Sequence, residues 1–144
     1  MSYVKIWIHC VWGTKNRVHF LNKENKWVII DHIRSNAKEK GVFIDTINGD
    51  KQHLHALISL TAIQSAAEVM HLIKGESSFW INKNKIVKGD FHWADKYYAV
   101  SVSDSNVDAV RNYIKNQEEH HRRETWEEEC DEFVKNFGFE RIAG

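Results

Sequence analysis

The chain contains no proline, only two cysteines and no excess of charge of either sign. The lack of proline leaves no linker signal, and no repeat or low-complexity segment divides the sequence. Cys10 falls in an apolar alternating run and Cys130 in an acidic stretch; two such residues make no disulfide framework and fit a reducing, cytoplasmic setting. No apolar run approaches the ~18 residues that a membrane span needs, and Met1-Ser2-Tyr3-Val4 leads straight into a strand pattern, leaving no room for a signal peptide. The net charge of zero points to modest non-specific affinity for nucleic acid, because phosphate contacts dominate that term.

What is present argues for one packed domain over residues 1–144, with 42% hydrophobic residues and six tryptophans. The charge is unevenly spread. Residues 1–100 hold 14 Lys and Arg against 9 Asp and Glu, whereas residues 101–144 hold 6 against 11. The acidic surplus between Glu124 and Glu132 reads as a solvated helix face.

Periodicity orders the elements. Residues 3–12 alternate as a strand, with Ile6, Ile8 and Cys10 on one face and Lys5, Trp7 and His9 on the other. Residues 22–40 read as a helix with Trp27, Ile30, Ile33 and Ala37 on its inner side and Gly41 as its stop. A strand over 42–47, a turn at Asn48-Gly49-Asp50 and a strand through residues 52–60 follow. Ile63, Ala67, Met70, Ile73, Ser77 and Trp80 mark a second helix, residues 83–90 a basic loop, and residues 97–103 a fourth strand. Helices over about 104–122 and about 125–137 complete the chain. The order β-α-β-β-α-β with right-handed crossovers gives an α+β, ferredoxin-like (RRM-like) antiparallel four-stranded sheet with two helices on one face. The two extra C-terminal helices lie outside that unit, and the first and third strands become central neighbours.

Two short patterns carry chemistry. In Gln52-His-Leu-His-Ala-Leu-Ile-Ser-Leu60 the strand alternation places His53 and His55 on one face, roughly 6.6 Å apart. At that spacing two imidazoles can converge on one divalent cation; partly exposed decoration of a strand is the plainer reading of the pair taken alone. In the later helix, Val107, Val110 and Ile114 form an apolar stripe, with Asp104 or Ser105 as N-cap. Tyr113 and Gln117 are four residues apart and project from one face on consecutive turns. An amide oxygen can then join a metal site while the phenol one turn away reaches the substrate; a buried tyrosine beside a solvated glutamine is the plainer alternative.

His-hydrophobic-His in a strand followed by Tyr-x-x-x-Gln in a helix resembles the HUH single-strand nucleases. More narrowly, it resembles the single-tyrosine transposases of small insertion sequences (TnpA-type, insertion-sequence-200-like). The resemblance also takes in Val11-Trp-Gly-Thr-Lys-Asn-Arg17, Ile73-Lys-Gly-Glu-Ser-Ser-Phe-Trp-Ile-Asn82, Ala99-Val-Ser-Val-Ser103 and Asn116-Gln-Glu-Glu-His-His-Arg122. It implies a DNA transposase that binds hairpin-containing single-stranded DNA and exchanges its strands by metal-assisted transesterification. Tyr113 is the implied nucleophile, forming a 5′-phosphotyrosine, and His53, His55 and Gln117 are the implied holders of Mg²⁺ or Mn²⁺. A homodimer is implied too, in which the tyrosine helix of one subunit can complete the histidine pair of the other. The segment Trp93-Ala-Asp-Lys-Tyr-Tyr98 departs from the Gln and Gly often found in relatives before the fourth strand, so an inherited DNA preference does not carry over.

Other residues offer weaker signals. Lys15 and Arg17, Lys74 within a helix, and Arg122 are candidate phosphate contacts; each also fits a solvated loop or helix end. Gly75 marks either close approach of DNA or another backbone, or tight helix packing. Trp93, Tyr97 and Tyr98 can stack unpaired bases or lie in the core, and His9 shares the parity of the proposed site. Beside the transposase stand a metal-dependent hydrolase, for which the sequence lacks a carboxylate-rich second ligand set, and two further readings. One is a domesticated relative nicking chromosomal repeats; the other is a non-catalytic binder using the open sheet face as an aromatic platform for single strands. The latter leaves Tyr113 and Gln117 without a joint purpose.

Overall fold

A computed structural model of the chain describes residues 2–117 and residue 128. Its elements are β1 (Ile6–Thr14), α1 (Lys23–Glu39), β2 (Phe43–Gly49), β3 (His53–Leu60), α2 (Ala66–Lys83), β4 (Trp93–Val102) and α3 (Val107–Lys115). The four strands form one antiparallel sheet in the order β2-β3-β1-β4, so β1 and β3 are the central neighbours expected from the element order.

Strand parity decides what each face carries. Ile6, Ile8, Cys10 and Trp12 pair across to Leu60, Ile58, Ala56 and Leu54, and this row packs with Ile29, Ile30, Ile33, Met70 and Ile73 of α1 and α2 into the main core. Burial there pushes the Cys10 thiol up to about 12, as suits an inert apolar position. The opposite parity carries Trp7, His9, Val11, His55 and His53. On that face α3 buries Val107 and Ile114 against Leu57, flanked by Trp7, Val102, Val110 and Tyr113. The helix is thus held to the sheet by the apolar stripe that its sequence spacing predicts.

Local signals set the helix ends. Asn22 caps α1, its side chain accepting from the backbone N–H groups of Glu24 and Asn25 while the Asn25 side chain answers the Asn22 N–H. Gly41, at φ +75°, ends the helix in the left-handed region that glycine enters without strain. Ser65 caps α2 by accepting from the Glu68 N–H. Between the two helices the His32 Nε2 lies 2.8 and 2.9 Å from the two carboxylate oxygens of Glu76, and its ring stacks on Trp80 at 3.8 Å.

Several boundaries and orientations differ from the sequence expectation. Trp27 is exposed, because Lys26 and Ile29 take the inward positions of that turn. Ile63 precedes α2 and is exposed. β2 runs through Asn48 and Gly49, so the turn falls at residues 50–52 instead; a bulge between Ile44 and Thr46 shifts its register and carries the strand further. β4 begins at Trp93, whose indole is buried against Trp12 and Phe91 and donates to Ser77 Oγ at 2.9 Å. Trp93 therefore belongs to the core, not to a base-stacking loop. A 3₁₀ turn over Asp104–Asn106 precedes α3, which starts at Val107 with Asn106 as its cap. The expected stretch of the tyrosine helix beyond residue 117 and the expected helix at 125–137 lie outside the described residues, apart from residue 128.

Candidate active site

The candidate site lies on the open sheet face beneath α3, and each polar side chain there arrives by a separate local rule. β3 alternation puts His53 and His55 on that face, and both are fully buried. Their ring centroids are 4.9 Å apart. His9 comes from the neighbouring β1, two positions along from the residue paired with His55, and its Nε2 meets His55 Nδ1 at 2.9 Å. Asp50, in the turn before β3, holds its Oδ1 2.6 Å from His53 Nδ1 and accepts with it the backbone N–H groups of Gln52 and His53.

α3 supplies the other two groups. The Tyr113 ring is half-buried, 5.5 Å from the His55 ring and 6.0 Å from the His9 ring, edge-on to both. Gln117 is fully buried, and its Nε2 donates to the Tyr113 carbonyl at 3.2 Å, which turns the amide oxygen away from that carbonyl. Asn48 on β2, the residue paired with His55, donates from Nδ2 to the Lys115 carbonyl at 3.1 Å and so ties the end of α3 to the histidine strand. Further along the same edge Arg111 grips Asp45 with a fork of two bonds, 2.8 Å from Nε and 3.0 Å from Nη2. The Arg111 hydrogen bond holds the Asp45 carboxyl below the usual carboxylate range.

Polar burial of this extent opposes folding. A buried polar group left without a partner costs roughly 1–3 kcal/mol, and Leu57 and Ile114 show that the adjoining positions accept aliphatic side chains. Four buried polar residues (His9, His53, His55 and Gln117) against the one face are best understood as serving chemistry. Among the described residues no group of three or more His, Cys, Asp or Glu side chains gathers at metal-binding spacing; the groups that could hold a cation are the imidazoles and the Gln117 amide oxygen. Such a mixed nitrogen and oxygen set suits Mg²⁺ or Mn²⁺ better than a closed zinc site, which favours four N or S ligands.

Residues 2–117 match the family model described as IS200-like transposase. The chain belongs to that family. Its members are DNA-cleaving, strand-transferring proteins. The chain is also similar to the ISDra2 transposase TnpA of Deinococcus radiodurans, 26% identical over 115 residues, which cover 76% of this chain and 81% of that one. Among solved structures it resembles a Deinococcus radiodurans R1 protein provisionally named a transposase (TM-score 0.64, 23% identity, 81% of this chain and 95% of that one). It also resembles a REP-associated tyrosine transposase bound to a REP hairpin (TM-score 0.60, 12% identity, 88% of this chain and 73% of that one). At those identities the two structures support the fold alone.

Within this IS200-like transposase the remaining sequence candidates separate by layer. Lys15 and Arg17 are exposed in a 3₁₀ turn directly after β1, at the sheet end where Gly13 pairs with His53. Asn16 and Arg17 there both have positive φ (57° and 56°), a strained conformation for non-glycine residues. Lys74 instead lies on the helical layer. Its Nζ donates to the Asp95 carbonyl at 2.9 Å and sits over the Tyr97 ring, beside a shallow 260 Å³ hollow, and burial lowers its pKa. Lys74 and Tyr97 are therefore not brought to the site, whereas Tyr98 has the open-face parity through its pairing with Val11. A Cβ on Gly75 would meet nothing within 4 Å, so neither tight packing nor a close backbone explains that glycine. Arg122 lies outside the described residues. Among those residues, no helix is long and apolar enough to cross a membrane.

Sequence reading missed Arg111, Asp45, Asn48 and Asp50. Each is a common surface residue by type, and only its partner across the fold gives it a role. The Asp50-x-x-His53 spacing was the one local signal available, since an aspartate at the head of a turn bonds the backbone two and three residues on.

Proposed function

We propose that this IS200-like transposase binds hairpin-bearing single-stranded DNA and cuts and rejoins it through a covalent Tyr113 intermediate. The observation that carries this reading is the convergence of the Tyr113 ring with His55 and His9 on one buried polar face, from helix and strands distant in sequence.

His53, His55 and Gln117 would hold one Mg²⁺ or Mn²⁺, which when bound supplies Lewis acidity toward the scissile phosphate. Tyr113 Oη attacks phosphorus, the phenolic proton leaves to solvent, and the bond to the 3′-oxygen breaks. The products are a 5′-phosphotyrosine and a 3′-hydroxyl that has taken up a proton. A phenol, with a reference pKa near ~10, is a better leaving group than an alkoxide, so a later 3′-hydroxyl can displace it and rejoin strands without ATP. Burial of the histidines and the packing of α3 keep these groups in one geometry, which is where a positioned nucleophile gains its advantage. Lys15 and Arg17, exposed at the His53 end of the sheet, would grip the phosphates of the entering strand.

The hairpin as ligand is supported by the REP-associated neighbour, whose structure holds one. That neighbour also favours a second reading, in which the same nicking chemistry acts on chromosomal repeats and the gene has no mobility of its own. Two copies of the chain, acting together as a homodimer, would cut the two ends of an element.

A denaturing gel tests the proposal, using hairpin oligonucleotides drawn from the flanks of the gene with Mg²⁺ or Mn²⁺. The wild-type protein should run as a covalent protein–DNA adduct and Tyr113→Phe should give none. Full cleavage by Tyr113→Phe, or cleavage independent of divalent ions, would overturn it.

A further inference from the structure

The charge of the chain is sorted by end of the sheet. Residues 15–23, 50–52 and 83–92 connect elements at the end where β3 starts with His53. They carry three, one and three Lys or Arg against two acids, Asp50 and Asp90. Residues 40–42, 61–65 and 103–106 connect elements at the far end and carry one charge of each sign, Lys40 and Asp104.

The three basic segments form one surface. The Lys15 N–H donates to the His92 carbonyl and the Leu21 N–H to the Lys51 carbonyl, both at 2.9 Å, so the β1–α1 connection is fastened to each of the other two. The loop between α2 and β4 is clamped by Asn82, which donates from Nδ2 to the Phe91 carbonyl at 2.9 Å and accepts the Phe91 N–H at 2.8 Å. Val87 and Phe91 are buried, whereas Lys83, Lys85 and Lys88 are exposed. Among the described residues none of these three lysines is paired with a carboxylate.

Clustered like charges repel one another until a polyanion neutralises them, and phosphate is the chemistry such a patch fits. The rings decide which part of a DNA ligand it takes. Unpaired bases stack on aromatic side chains, and no Phe, Tyr or Trp between residues 83 and 92 is exposed. The exposed Phe79 ring, one turn back on α2, lies under the Lys83 ammonium, 5.8 Å from its centroid. A duplex instead hides its bases and presents phosphates on both strands.

We propose that the α2–β4 loop, through Lys83, Lys85 and Lys88, docks the paired stem of the hairpin, leaving the unpaired flank to pass Lys15 and Arg17 onto the open face. The inference rests on the hairpin-DNA reading given above and adds the surface that tells a stem from a single strand. The Asn82 clamp holds the loop backbone before DNA arrives, so less ordering is needed on binding.

The test compares two oligonucleotides of equal length in the Tyr113→Phe background, where no strand is cut. One is a hairpin from the flank of the gene; the other has one arm of the stem permuted so that it cannot pair. Fluorescence anisotropy follows binding from about 50 to 200 mM salt. Tyr113→Phe alone should prefer the hairpin. Adding Lys83→Gln, Lys85→Gln and Lys88→Gln should weaken hairpin binding by about tenfold or more, flatten its log–log salt slope by roughly 2–3 and abolish the preference. Lys38→Gln with Lys40→Gln, a charge loss at the far end, should change neither. Unaltered hairpin affinity and salt slope in the triple-lysine variant overturn the inference, as does an equal loss on both oligonucleotides or a parent protein with no preference for the hairpin. If the preference is lost with the lysines but wild-type protein forms no Tyr113 adduct, stem docking stands and the cleavage reading falls.

Discussion

Arg111 of α3 and Asp45 of β2 form a two-bond fork that spans the open face of the sheet. The pair is a planar guanidinium matched to a carboxylate, the geometry in which such bonds are strongest. Arg111 lies two residues before Tyr113, so the fork fixes the pitch and rotation of the helix that presents the phenol. Asp108 also contacts Arg111 from the preceding turn of α3, but that carboxylate is exposed.

Loss of the fork should loosen α3 without unfolding the sheet. Arg111→Ala is expected to lower the urea midpoint modestly and to reduce Tyr113 adduct formation more than it reduces hairpin binding. The effect should depend on pH. The folded-state pKa of Asp45 lies below its unfolded value, so its contribution is present above the unfolded pKa and is lost as pH falls through the folded one. The stability gap between wild type and Arg111→Ala should therefore be full near neutrality and shrink below pH ~4. An equal gap under acid and neutral conditions would contradict it.

Two glycines should respond in opposite senses to alanine. A Cβ on Gly49 would lie 2.0 Å from the His53 carbonyl oxygen, a backbone atom that cannot swing aside. Gly49→Ala should destabilise the protein by about 2 kcal/mol or more and displace the head of β3, with loss of adduct. Gly75 sits in α2 with open space around it, so Gly75→Ala should raise stability by up to about 1 kcal/mol. Thermal melts of the two variants decide the matter; shifts of the same sign would show the packing assignment to be wrong.

Removing divalent ions should separate activity from folding. The main core lies on the other face of the sheet from the candidate site, so the fold should form without a bound cation. Chelation should abolish the adduct while leaving far-ultraviolet circular dichroism unchanged, and Mn²⁺ should raise the melting temperature by mass action on the folded state. Collapse of the fold on chelation would assign the cation a structural role.

A complementation experiment addresses which chain supplies the tyrosine. His55 and Tyr113 of one chain are 5.5 Å apart, with α3 seated on its own sheet through Val107, Ile114, Arg111 and Asn48. Mixed Tyr113→Phe and His55→Ala proteins should therefore give no adduct. Recovered adduct would instead support the exchange of tyrosine helices between subunits that the family resemblance implies.

Cys10 should resist thiol reagents. It is fully buried and its thiol is pushed up to about 12, so little thiolate exists near neutrality. In a Cys130→Ser background, labelling should occur only at the rate of unfolding, and rapid labelling of native protein would refute the burial.

The element order, the pairing of β1 with β3 and the face on which the histidines lie were all legible from periodicity. Alternation assigns faces in a strand, and i, i+4 spacing assigns them in a helix, whatever the rest of the chain does. That logic reached His53, His55, Tyr113 and Gln117 one by one. It failed at Trp27 and left Trp93 open between stacking and core, because a large aromatic fits either a surface or a core and packing alone decides between them.

Contacts between faces were settled only by the tertiary structure. His9 reaches His55 across 46 residues and Asp45 reaches Arg111 across 66. Periodicity says which way a side chain points and is silent about what it meets. The tilt of a helix above a sheet depends on that partner, and so it was the fold that decided it.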